Sequence, residues 1–328
     1  LAPAFATGFK NCTGLADVRA HLFNLPFTKK TTLGVNFKSF HFAHNETLNF
    51  RARYTRLTPS IRVELPEHSQ TFRHALQFRT LYLWREEAVF TDDVFSGTEN
   101  RRSVIHDLIY EGAQKKWVNP FYYRAGLEWQ NYKDPFDRPA RYLRASAEWK
   151  QDFYYKPGRS LTARFYGGYF IKNTQRQRGA VSNDLARASF ALNPQGFNDY
   201  RFDQLFFART ATEGFWSRQV STNEGGFKGA FGAPYAGVIG NSNNFIVSLN
   251  LRADLPRRLP LGLPLKPYFD IGYYDDATPL GKDRKRSEQL LWSGGLLLEF
   301  GQGLFEIYFP LANASFLKQQ YCTRSNGT

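Results

Sequence analysis

The sequence predicts an all-β fold, a transmembrane antiparallel β-barrel with about 14 strands in this chain. Three observations predict it. Strand-length segments alternate strictly between apolar and polar residues: in 141–150, Leu143, Ala145, Ala147 and Trp149 share one face, and Tyr142, Arg144, Ser146, Glu148 and Lys150 the other. The mean hydropathy is −0.49, and no run approaches the ~18 apolar residues of a spanning helix. Aromatic residues make up 17% of the chain, led by 31 Phe and 18 Tyr, which suits a lipid-facing wall with interfacial girdles.

Taken in order, the alternation is clearest at 33–39, 48–55, 122–132, 141–150, 159–172 and 245–255. In 159–172, Leu161, Ala163, Phe165, Tyr169 and Ile171 point out, and Thr162, Arg164, Tyr166 and Lys172 point in. Segment 48–55 is read with Leu48, Phe50, Ala52 and Tyr54 outward, and 59–66 as a separate strand. Shorter candidates are 2–9, 14–24, 71–86, 104–116, 265–276, 290–300 and 304–311. Short connections carry turn residues, as in Tyr155-Lys156-Pro157-Gly158 and Gly301-Gln302-Gly303. Long polar loops are expected at 87–103, 133–140, 277–289 and, longest, 174–242. Barrels of this kind keep short turns at one membrane face and long loops at the other.

The formal net charge is +14, yet the cations are spread along polar strand faces instead of being gathered in a tail or helix. That pattern argues against a nucleic-acid groove and for a cationic lumen, with Arg51, Arg53, Arg124, Arg144, Arg164 and Arg252 pointing inward and Glu64, Glu128, Glu148, Asp254, Glu299 and Glu306 opposing them. An anion-favouring pore and a lumen plugged by a folded-in loop both fit this charge. The second is drawn from two features. In Tyr268-Phe269-Asp270-Ile271-Gly272 an inward acid precedes an inward glycine; the acid needs a cation or donor, and the glycine leaves room for something against the wall. The 174–242 loop is too long, aromatic and basic to be left unpacked. Folded into the lumen, it would bring Arg201, Arg209 or Lys228 to Asp270.

No enzyme constellation emerges, and no cofactor is called for. There is no His-Glu-x-x-His and no Gly-x-Ser-x-Gly. His41 and His44, three apart on a strand, face opposite ways and do not converge on a metal. Cys12 and Cys322 stand near opposite ends, where first and last barrel strands are neighbours; a disulfide between them and two free thiols are both open, the second slightly favoured. The chain begins at Leu1 and contains no Met, which reads as a processed or incomplete piece of a longer product.

The aromatic-x-Asp-x-Gly strand and the long preceding loop resemble the bacterial surface-antigen barrels of the outer-membrane assembly and two-partner translocation pore superfamily. The resemblance implies sixteen strands in the complete protein, with 265–276 the thirteenth, 243–255 the twelfth and 159–173 the eleventh. It also implies a sixth loop that locks onto the thirteenth strand through an Arg-Gly-aromatic tip. Here Arg178-Gly179-Ala180 lacks the aromatic, whereas Asp199-Tyr200-Arg201-Phe202 and Glu224-Gly225-Gly226-Phe227-Lys228 look more like the barrels found C-terminal to gluzincin aminopeptidase-like domains. The lock candidates are Asp270, Gly272 and Tyr268 on the strand and Arg201, Arg209 and Lys228 on the loop. The implied role is to anchor, translocate or help assemble other polypeptides in a bacterial outer membrane. Its partners would be outer-membrane lipids, other envelope proteins or an upstream domain. Anchoring an upstream zinc peptidase and serving as an anion pore are the alternatives.

Overall fold

The computed structural model describes residues 2–7, 12–22, 27–45, 50–66, 71–91, 94–116, 118–133, 139–174, 176, 190–192, 220, 222–228, 240–255, 264–275, 286–301, 303, 305–315 and 317. Thirteen strands pair in chain order into one antiparallel sheet. They are β1 (Ala2–Thr7), β2 (Cys12–Leu22), β3 (Lys30–Asn45), β4 (Phe50–Glu64), β5 (Phe72–Thr91), β6 (Val94–Gln114), β7 (Phe121–Lys133), β8 (Pro139–Lys156) and β9 (Arg159–Asn173), followed by β12 (Phe245–Ala253), β13 (Leu265–Asp275), β14 (Leu290–Phe300) and β15 (Phe305–Asn313). Between β9 and β12, the two-residue strands β10 (Phe190–Ala191) and β11 (Asn241–Ser242) form a separate small ladder. No described helix is long and apolar enough to cross a membrane.

The sheet is inside out relative to a water-soluble one. On β9, Phe165 is 52% exposed and the next residue, Tyr166, 2%. The exposed parity carries Leu161, Tyr169 and Ile171; the covered parity carries Thr162, Gly168 and Phe170. The same division runs through β3, where Leu33, Val35 and Phe37 are exposed and Lys38, on the other parity, is buried. An apolar surface this continuous is costly in water and matches a lipid-facing wall around a polar interior. The fold is that of a transmembrane antiparallel β-barrel. Fifteen-residue β9 is about 50 Å long at ~3.3 Å per residue. Even at a tilt of about 40° it overspans an apolar band of about 25 Å.

Two expectations from the sequence are corrected. Segments 48–55 and 59–66 are one strand, β4. Pro59, which has no N–H for a ladder bond, falls in a gap in the β4–β5 register between Leu57 and Ser60, so the alternation looks interrupted where the backbone is continuous. Along β4, Arg56 and Thr58 are the buried residues. The second correction concerns 87–103, expected as a loop. β5 and β6 continue through it as a hairpin to Thr91 and Val94. Beyond the bilayer both faces of a strand meet water, so alternation is no longer required there.

Inside, cross-strand ion pairs brace the wall. Arg79 Nη2 meets Asp107 at 2.6 Å, Arg144 Nη2 meets Glu128 at 2.8 Å, and Arg62 pairs with Glu111. Tyr142 Oη donates to the same Glu128 at 2.7 Å. An apolar cluster packs within the lumen between β8, β9, β12, β13 and β14. Phe190, Leu192 and Phe227 come into it from the 174–242 segment, and Ala314 and Leu317 from the chain after β15.

Candidate functional site

The site lies on the inner wall of four adjacent strands, β9, β12, β13 and β14. Their registers align Arg164 with Asn250, Asn250 with Asp270, and Asp270 with Ser293. This is one row of side chains across the sheet. The neighbouring row reads Tyr166, Ser248, Gly272 and Leu291. Period-two alternation places each member inward; only the long-range register brings them level.

Residues 222–228 of the long connection lie across these rows. The Asp270 carboxylate is fully buried. It accepts from Lys228 Nζ at 2.6 Å, from the Lys228 backbone N–H at 2.7 Å and from Asn250 Nδ2 at 2.9 Å. A buried acid with three donors, one of them a cation, has the partners its burial demands. Arg164 grips the backbone beside it: Nη2 donates to Gly226 O at 3.0 Å and Nη1 to Thr222 O, while Nε and Nη2 also reach Asn250 Oδ1. Ser248 Oγ donates to Gly225 O at 3.0 Å. The Lys228 ammonium also stands 5.4 Å from the centre of the Tyr268 ring.

Glycines supply the close approach. Gly225 has φ +79°, and a Cβ there would lie 2.2 Å from Ser248 Oγ, so both the turn and the contact exclude a side chain. Gly272 seats Leu192, whose Cδ2 would be 2.7 Å from an added Cβ, and Gly168 seats the Phe190 ring at 2.6 Å. The two limbs of the segment are tied by Phe227 N–H donating to Leu192 O at 2.7 Å.

Below this row, Arg252 bridges Glu299 and Glu306, and Lys266 bridges Asp254 and Glu299, both at 3.0 Å for the latter. Asp254, just past β12, also accepts from the Ser160 backbone N–H at 2.7 Å. Burial raises its pKa, but the Ser160 amide and Lys266 outweigh that and hold the carboxyl below its ordinary value.

Of the sequence-predicted lock residues, the structure brings together Asp270, Gly272, Tyr268 and Lys228. Arg201 and Arg209 lie outside the described residues. Of the predicted lumen cations, Arg144, Arg164 and Arg252 face inward onto partners, and Arg124 sits in register between Glu111 and Glu148. The side chains of Arg51 and Arg53 are outside the description, as is Cys322. Asn250, Ser248 and Gly168 were not singled out from sequence; two inward polar residues on a strand otherwise lined by Ile246 and Arg252 were the available signal. Among the described residues no three His, Cys, Asp or Glu side chains gather as metal ligands. What this arrangement can do is hold a polypeptide segment against a wall.

Fold and site together define a membrane-spanning β-barrel with a connecting segment pinned inside it. No family model matches the chain, and no curated protein does. Among solved structures the chain is similar to CdiB from Acinetobacter baumannii, with 10% identity and a TM-score of 0.44. The match covers 94% of this chain and 49% of that one, so the chain spans about half the length of this structural relative.

Proposed function

We propose that this chain is the barrel of a surface-antigen-type bacterial outer-membrane protein that translocates or helps assemble other polypeptides, with residues 222–228 as a releasable lumen segment. The observation that carries the reading is the Lys228–Asp270 pair, buried and level with Arg164 and Asn250 across three adjacent strands. A strand bearing Asp270 and Gly272, met by a cation from the longest loop, is the lock the resemblance implies, with lysine where the superfamily uses arginine. If β13 is the thirteenth strand of that family, the thirteen strands of the sheet correspond to its third through fifteenth, counting along the sheet order.

The rival readings gain less support. An anion pore needs unpaired lumen cations, but Arg79, Arg144 and Arg252 are met by carboxylates and Arg164 by carbonyls. No described feature favours an anchoring role for an upstream zinc peptidase. The test is a photo-reactive phenylalanine analogue in place of Arg124 on the inner wall, irradiated in the native outer membrane. The expected result is an adduct with a second polypeptide that increases when Lys228→Ala frees the segment. Cross-links confined to this chain in both backgrounds would overturn the reading.

A further inference from the structure

One patch of the outer wall is left unused by the lumen site. At the short-turn end of β5–β8, the registers align His74, Gly112, Tyr123 and Trp149 in one outward row. Gly112 leaves a gap over which Tyr123 leans; a Cβ there would lie 2.5 Å from its ring. Tyr123 Oη thereby donates to Tyr110 Oη at 2.9 Å. Tyr110 Oη in turn lies 2.9 Å from His74 Nδ1, and His74 Nε2 lies 3.0 Å from Pro66 O. A carbonyl only accepts, so Nε2 carries the proton and Nδ1 accepts from Tyr110. The polar atoms of the patch are thus consumed internally, and rings are what it presents. Phe121 stacks on Trp149 at 4.8 Å and 12°, and Phe72 stands 6.4 Å from Phe121.

Directly beyond these rings, the β6–β7 turn carries Lys115 and Lys116, both exposed. Its position is fixed by Lys115 N–H donating to Thr71 O at 2.8 Å. The described carboxylates of these hairpins are turned away: Glu111 pairs with Arg62 on the inner face, and Asp152 accepts from Thr162 Oγ1 at 2.6 Å. The outer side therefore combines an aromatic wall with two exposed lysines in the turn beside it and no described acid.

We infer that this patch is a seat for an anionic phospholipid, its acyl chain against the aromatic row and its phosphate at Lys115 and Lys116. An aromatic girdle alone is indifferent to headgroup. Two adjacent lysines at the headgroup level select for negative charge and disfavour a zwitterionic head, whose own ammonium they repel. The inference rests on the membrane-spanning reading of the sheet.

The test is tryptophan quenching in bilayers that contain an equal fraction of either dibrominated phosphatidylglycerol or dibrominated phosphatidylcholine. The expected result is stronger quenching by the anionic lipid, with a local preference on the order of tenfold. Lys115→Gln combined with Lys116→Gln removes that preference, while Lys30→Gln, on another hairpin at the same end, keeps it. Equal quenching by the two lipids in the unmodified protein overturns the seat, as does a preference that survives the double substitution or is lost equally in Lys30→Gln. Quenching by neither lipid overturns the membrane-spanning reading itself.

Discussion

Replacing Asp270 by alanine should release the 222–228 segment. The carboxylate is fully buried, and the Lys228 side chain beside it is 9% exposed. Removing one member of such a pair leaves a buried, uncompensated charge, a loss of about 3–5 kcal/mol. Lys228 sits on a connection and not on a strand, so it can leave the wall; the loss then appears as release of the segment and leaves the barrel folded. Three kcal/mol corresponds to roughly a hundredfold shift in the bound-to-released ratio. Trypsin reads this directly, because the bond after Lys228 becomes a substrate only when the segment is free. In folded protein, confirmed by heat-modifiable gel mobility, cleavage at Lys228–Gly229 should accelerate about a hundredfold in Asp270→Ala and less in Asp270→Asn, which keeps one acceptor for the backbone amide. An unchanged cleavage rate in folded Asp270→Ala would refute the reasoning.

Arg164→Lys replaces a planar fork that reaches two loop carbonyls with a single ammonium, so the same cleavage should accelerate about tenfold at ~1–2 kcal/mol; an unaltered rate counts against the backbone grip. Gly225→Ala forces a Cβ into Ser248 at a left-handed φ and should release the segment at a cost of about 1–3 kcal/mol, again visible as trypsin sensitivity. Leu249→Arg puts a charge on the lipid-facing parity of β12 and should cost ~2–4 kcal/mol in urea unfolding from vesicles; a neutral result would reverse the inside–outside assignment. Asp254 has a folded-state pKa below its unfolded one, so its contribution is fully present above the unfolded value of about 3.9. It is lost as pH falls through the folded value. The acid limb of the melting temperature below about pH 4–5 should therefore shrink in Asp254→Asn.

The periodicity of apolar residues was enough to place most strands, because each lipid-facing side chain is chosen by its own two neighbours along the chain. It failed at β4, where Pro59 interrupts the pattern without ending the strand, and along the β5–β6 hairpin, where both faces meet water. Asp270 was legible because a buried acid must have a partner, and Lys228 was one of three cations within reach of that argument. Asn250 and Ser248 were not, since their importance lies in a register between β9 and β12, strands separated by the entire 174–242 connection. No local pattern encodes that alignment. The glycine seats were half visible: Gly272 was read as room against the wall, but its occupant, Leu192, comes from a segment with no regular period.

The hydrogen bond from Phe227 to Leu192 also changes how the chain tolerates growth. It closes a loop between Leu192 and Phe227 at 2.7 Å, and the return limb of that loop from Thr222 onward is itself held to the wall. Lengthening a loop with fixed ends costs only about 0.6 kcal/mol for each doubling. A foreign domain spliced in between Leu192 and Thr222 is therefore expected to leave the pinned segment seated, which makes that stretch a natural cassette position above a closed clasp.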